Sequence, residues 1–97
     1  MKKGYWMVAY TSISDESAVK AYGPLAVTAI ESFGGRFLTK SASQVQPQEA
    51  GLPQRVVLVE FESYAVALAT HESEAYRKAL RALGSGAVRD FRIVEGA

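Results

Sequence analysis

His71 is the one histidine of the chain, set in "ALATHESEAYRKAL" between Thr70 and the acidic pair Glu72 and Glu74, with Tyr76 just beyond. Its imidazole is the only side chain here whose unperturbed proton exchange falls near neutral pH, and the two carboxylates would favour its charged form. That makes it a candidate general acid or base. The competing reading is a solvated histidine at a helix end, stabilised by the negative end of the helix dipole, because no second base or nucleophile adjoins it in sequence. Glu60 is the second candidate catalytic group. It interrupts "RVVLVEF" on the face of Val56 and Leu58, where a half-buried carboxylate needs a cation such as Arg36 or Arg92, as a general base or as a salt-bridged strand end. Tyr22 and Tyr76 fall on apolar helical stripes and could donate phenolic hydrogen bonds into a pocket, or each be satisfied once inside the core. Arg36 and Arg55 stand at strand starts, placed to fork onto a substrate carboxylate or to pair at a surface or interface.

Several chemistries are excluded by what the chain lacks. It has no cysteine, so no thiol nucleophile, disulfide or thiolate metal site is available, and one histidine with scattered carboxylates does not reach the usual ligand sets. "FGGRF" ends a helix instead of opening one and lacks the Lys-Ser/Thr pair of a phosphate loop. No metal and no cofactor is expected. Eleven Lys and Arg against ten Asp and Glu give a net charge of +1, which is no electrostatic footprint for nucleic acid or an anionic membrane. No apolar run approaches a membrane span. "MKKGYWMVAYTS" has two lysines before an apolar run, but the run stops at Thr11 without a small-residue cleavage site, so it reads as a strand and a cytoplasmic location is expected.

The elements that must position these groups follow from periodicity. At 97 residues, with 48% apolar and 22% charged, the chain makes one globular domain over 1–97. Tyr5 to Thr11 is a first strand. Ser12 or Ser14, followed by Asp15 and Glu16, starts a helix whose stripe Val19, Tyr22, Ala26, Ala29, Ile30 and Phe33 runs to about Phe33. Pro24 predicts a kink near Ala21 to Pro24, or a restart. "RFLTKS" is a short second strand, "ASQVQPQEAGLPQ" a long polar connection, and "RVVLVEF" the strongest strand. Ser63 caps a helical segment through Leu68 and Ala69, and Ser73 caps a fresh one carrying Tyr76, Ala79, Leu80 and Leu83, with His71 at the break. "VRDFRIVEG" closes the chain as a fourth strand. The order βαββαβ predicts an α+β, ferredoxin-like domain, a four-stranded antiparallel sheet with its helices on one face.

Such a sheet should alternate apolar and polar residues, because only one face is covered. These strands do not. Val57, Val59 and Phe61 oppose Val56 and Leu58, and Trp6 and Val8 oppose Tyr5 and Met7. Each large apolar side chain left wet forgoes roughly 1.5–3 kcal/mol, so a second copy is expected to cover the open face as a twofold homodimer, with Trp6 as an interface anchor. The alternative is that the tyrosines and the Met-Val-Ala strand tolerate water and the C-terminal tail folds over that side.

"KGYWMVAYTSISDESAVKAY", "FGGRFLTKS", "QRVVLVEFES" and the closing "IVEG" together resemble the bacterial family known as domain of unknown function 1330. The likeness spans nearly the whole chain and rests on Gly4-Tyr5-Trp6, Gly34-Gly35-Arg36-Phe37, Arg55 to Phe61 and Glu95-Gly96 at these separations. It implies membership of the dimeric α/β-barrel group, whose relatives include cofactor-free monooxygenases, lactone isomerases and haem-handling proteins with a pocket between sheet and helices. The chain departs from the family at Thr70-His71, where an aromatic and a Ser-Pro-Glu-Tyr type motif are usual, and only loosely echoes its Glu-Gly at Glu49-Ala50-Gly51.

The expectation is therefore a small homodimer that binds a small organic molecule, with cofactor-free turnover in the manner of monooxygenases or isomerases of that group as its catalytic form, and with Tyr22, Arg36, Glu60, His71 and Tyr76 as polar lining. The other reading is a non-catalytic binding or regulatory module in which the same residues secure the dimer and the helix ends.

Overall fold

A computed structural model describes residues 2–97. Its elements are β1 (Gly4–Ile13), α1 (Glu16–Ser32), β2 (Arg36–Phe37), β3 (Val56–Phe61), α2 (Tyr64–Glu72), α3 (Glu74–Leu83) and β4 (Ala87–Glu95). The strands form one antiparallel sheet in the order β2-β3-β1-β4, so the first and third strands are central and the helices close the connections over one face. This is the ferredoxin-like arrangement.

Each helix begins where a short polar side chain can satisfy free N–H groups. Asp15, rather than either serine before it, caps α1 by accepting from the N–H groups of Ser17 and Ala18, and Glu16 adds an acid to the first turn. Pro24 lies inside α1 and the helix continues to Ser32, so of the two expected outcomes the restart does not occur. The proline withholds only one amide donor. The turn around it is held by apolar anchors on both sides, Tyr22 and Ala26 before and after, with Ala29 and Ile30 following, all buried. Ser73 both ends α2 and starts α3: its hydroxyl donates to the Thr70 carbonyl (2.7 Å) and accepts from the Tyr76 amide (3.2 Å).

Two glycines permit close approach. A Cβ on Gly4 would stand 2.5 Å from the Ser63 carbonyl oxygen, so the start of α2 rests directly on β1. One on Gly35 would stand 2.5 Å from Ile30 Cγ2 and 2.7 Å from Phe61 Cε1, which brings the chain from α1 tightly back to the sheet edge. The second strand is shorter than "RFLTKS" suggests. Beyond Phe37 the pairing survives as a Leu38 amide bond to the Leu58 carbonyl and as Thr39, whose hydroxyl accepts from the Leu58 amide and donates to the Val56 carbonyl.

The pleat sorts the strands into two faces. Trp6, Val8, Tyr10, Val57, Val59, Phe61, Arg89, Phe91 and Ile93 look toward the helices; Tyr5, Met7, Ala9, Val56, Leu58, Glu60, Asp90, Arg92 and Val94 look away. Trp6 is therefore no anchor of the open face. It is 1% exposed in the core, its indole N–H donating to the Ala67 carbonyl at 2.9 Å, with Phe61, Tyr76 and Phe91 rings around it. A buried indole N–H needs an acceptor, and the α2 backbone supplies one. The open face itself carries Met7 and Leu58 in direct register with Val56 nearby, and the C-terminal residues do not cross it. Gly96 instead extends the β1–β4 ladder by donating to the Lys3 carbonyl.

Candidate ligand pocket

On the helix side, α1 packs chiefly against α3 and stands off the sheet. Its inward stripe includes two small residues, Gly23 and Ala26, where larger side chains would have reached the strands. The space left is a cavity of about 100 Å³ between α1 and the sheet, walled by Trp6, Val8, Tyr10, Val57, Val59, Val19, Ile30 and Phe37, with Ser41 of the long connection at its edge. Most of this wall is apolar.

Its polar end is built from three residues. Arg89 of β4 pairs across the ladder with Tyr10 of β1, just before a register shift between Tyr10 and Ser12, and its guanidinium lies 4.8 Å from the Tyr22 ring centroid, 5.4 Å from that of Phe91 and 5.5 Å from that of Tyr10. Arg89 Nη1 donates to the Tyr22 hydroxyl at 3.0 Å, and the Tyr22 and Tyr76 hydroxyls meet at 2.7 Å. Tyr76 is fully buried, and the Tyr22 oxygen is the single close partner of its hydroxyl, so Tyr76 donates there instead of stranding its proton. Tyr22 then accepts twice, and its own O–H is left to point elsewhere.

The electrostatics follow from burial. Burial pushes the Tyr76 hydroxyl far above the ordinary phenol range and raises that of Tyr10 as well, so both are neutral at physiological pH. Burial also works against the charge on Arg89, but the Tyr22 and Tyr76 oxygens outweigh it and the guanidinium stays protonated.

The residues singled out in the sequence are divided by the sheet. Tyr22 lines the cavity and Tyr76 backs it. His71 lies one layer further, half-buried at the end of α2, with ring centroids of Phe91 at 5.1 Å, Tyr76 at 5.2 Å and Trp6 at 5.9 Å. Burial lowers its pKa; Glu72 pulls upward, while Arg77 and Arg89 push down further. The expected preference for the charged form is thus reversed, and Glu74 is engaged with Arg81 at 2.7 Å instead. Glu60 and Arg36 sit on the opposite face. Glu60 accepts from the Tyr5 hydroxyl (3.1 Å) and from Arg36 (2.6 Å), and these partners, Tyr5 foremost, hold its carboxyl below the usual range. Arg55 pairs with Glu16 at 3.3 Å and overlies Tyr10.

Sequence reasoning missed Arg89 and Tyr10. The signal was present in "AVRDFRIV", where Ala87, Phe91 and Ile93 make an alternating apolar stripe and Arg89 falls on it. Among the described residues no group of three or more His, Cys, Asp or Glu is placed to hold a metal ion, and no helix is long and apolar enough to cross a membrane.

Similar folds are found among solved structures. A protein of unknown function from Rhodopseudomonas palustris matches with a TM-score of 0.72 at 19% identity, covering 97% of this chain and 80% of that one. A candidate antibiotic biosynthesis monooxygenase from Nitrosomonas europaea matches at 0.55 and 17% identity, over 98% and 89% of the two chains. A dimeric ferredoxin-like protein of unknown function from Thermobifida fusca matches at 0.52 and 12% identity, over 99% and 91%. Likeness at such identities establishes the fold. No curated protein matches by sequence. The family described as "Domain of unknown function (DUF1330)" matches residues 3–97, and the chain belongs to it.

Proposed function

We propose that this protein binds a small organic molecule between α1 and the sheet. The observation that carries the reading is the cavity itself, an apolar chamber of about 100 Å³ that ends on Tyr22 and Arg89. Pockets that orient small molecules combine mostly apolar walls with a few convergent polar groups, and this one does. Turnover without a cofactor is the catalytic form of the proposal: the free Tyr22 O–H, polarised by two accepted hydrogen bonds, is a donor for a carbonyl or enolate oxygen. In that scheme Tyr22 binds substrate and Tyr76 positions Tyr22, while His71 lies behind them as a neutral base without direct access to the chamber.

The same proposal makes the molecule a homodimer through the open sheet face. Met7, Leu58 and Val56 give that face an apolar centre, and Glu60 with Arg36 and Tyr5 gives it a polar margin. The Thermobifida fusca protein of similar fold is described as dimeric, which supports the arrangement.

The test is a thermal-shift screen of small organic molecules on the native chain and on Ala26→Leu, which fills the chamber. A ligand bound only by the native state raises the melting temperature. The proposal expects compounds that stabilise the native chain and leave Ala26→Leu unmoved. Compounds that shift both equally bind elsewhere and overturn it.

A further inference from the structure

We infer that the ligand is a small organic monocarboxylate, anchored by Arg89 and Tyr22 with its apolar body in the chamber; this rests on the pocket reading above. Every other arginine of the chain meets a carboxylate: Arg36 meets Glu60, Arg55 Glu16, Arg77 Glu72, Arg81 Glu74 and Arg92 Asp90. Arg89, among the described residues, has none within ion-pair distance. Its neighbours are ring faces and phenols, and burial keeps the Tyr76 and Tyr10 phenols neutral, so among the described residues a half-buried positive charge stands in the chamber lining with no anion to balance it.

The donor count points the same way. A guanidinium presents five N–H donors in a fixed fork, and Arg89 makes one short hydrogen bond within the chain, 3.0 Å to Tyr22, with the Tyr76 and Tyr10 hydroxyls as weaker partners. None of its nitrogens is buried without a partner, and the half-buried side chain lines the chamber, so donors are left for a ligand there. The Tyr22 O–H, left over after accepting from Arg89 and Tyr76, adds a neutral donor beside them. Two converging donor groups of this geometry match the two oxygens of a carboxylate.

Charge and size narrow the class. One guanidinium balances one negative charge, which fits a carboxylate better than the nearly two charges of a phosphate monoester. The chamber, about 100 Å³, is smaller than the dry cavity of about 150 Å³ that accepts benzene, so the body that enters it has about four heavy atoms.

The test is calorimetric titration of the purified full chain near neutral pH with matched pairs, isovalerate against isovaleramide and isobutyrate against isobutyramide. The amides keep the shape and lose the charge. The acids are expected to bind at least about tenfold more tightly than their amides. Arg89→Met should weaken the acids by about tenfold or more while moving the amides less than about threefold, and Tyr22→Phe should weaken the acids by a smaller factor. Melting of the unliganded variants checks that they fold; should Arg89→Met fail to, Arg89→Lys and the wild-type acid-to-amide ratio still decide. Equal binding of acid and amide, or acids indifferent to Arg89, overturns the inference and leaves the pocket standing. No binding by either pair overturns the carboxylate inference, and the pocket reading falls with it only if the thermal-shift screen also finds no compound that separates the native chain from Ala26→Leu.

Discussion

Ala26→Leu reads the chamber through stability alone, with a sign that depends on whether the space exists. Ala26 is 4% exposed, faces the sheet from the middle of α1 and lines the cavity. Leucine adds three carbon atoms. Placed in an existing apolar void they contribute up to about 0.8 kcal/mol each, near 2.4 kcal/mol together. Against this stand about 0.5–1 kcal/mol of leucine rotamer entropy and a few tenths for helix propensity. The expected net is a gain of about 1 kcal/mol, a rise in melting temperature of roughly 4–8 °C for a domain of this size. Were α1 pressed on the strands, the same change would overpack the core and cost about 1–3 kcal/mol. Urea unfolding followed by the fluorescence of Trp6, the one tryptophan and a wall of the chamber, reports the difference. A midpoint lowered with unchanged slope would refute the chamber.

Two further perturbations probe other parts of the account. Leu58→Arg places a charge opposite Met7 in the centre of the open face, so equilibrium sedimentation should show pairs for the native chain and single chains for the variant; a native chain that sediments singly contradicts the dimer. The folded state holds the His71 pKa below its unfolded value, mainly by burial, so the unfolded chain takes up that proton first as the pH falls. Its contribution to stability is complete above the ordinary histidine range and is lost as the pH drops through about 6.5 toward the lower folded value. The melting temperature of His71→Gln should therefore fall less on acidification across that range than that of the native chain, and an equal or steeper fall contradicts the burial.

The strands, the caps of α2 and α3 and the two-faced pleat were legible because each rests on local pattern: Trp6-Val8-Tyr10 against Tyr5-Met7-Ala9, or Ser63 and Ser73 ahead of helical stripes. What failed was whatever depended on the space between elements. Trp6 looks like a surface anchor until Ala67 offers its carbonyl, and Glu72 beside His71 looks decisive until three aromatic rings half-bury the imidazole. Glu60 and Tyr22 could be assigned to opposite faces by counting, yet both were grouped into one lining; the sheet separates them. Arg89 escaped because an isolated arginine in a strand reads as solvent-facing, and its meaning comes from partners 67 and 13 residues away, Tyr22 and Tyr76.

The most direct measurement is a crystal structure of the chain grown with isovalerate. The account predicts the branched chain between α1 and the sheet, against Val8 and Val59, with its carboxylate on the Arg89 fork and the Tyr22 hydroxyl. Isovalerate confined to the outer surface, with α1 closed onto the strands, would contradict it.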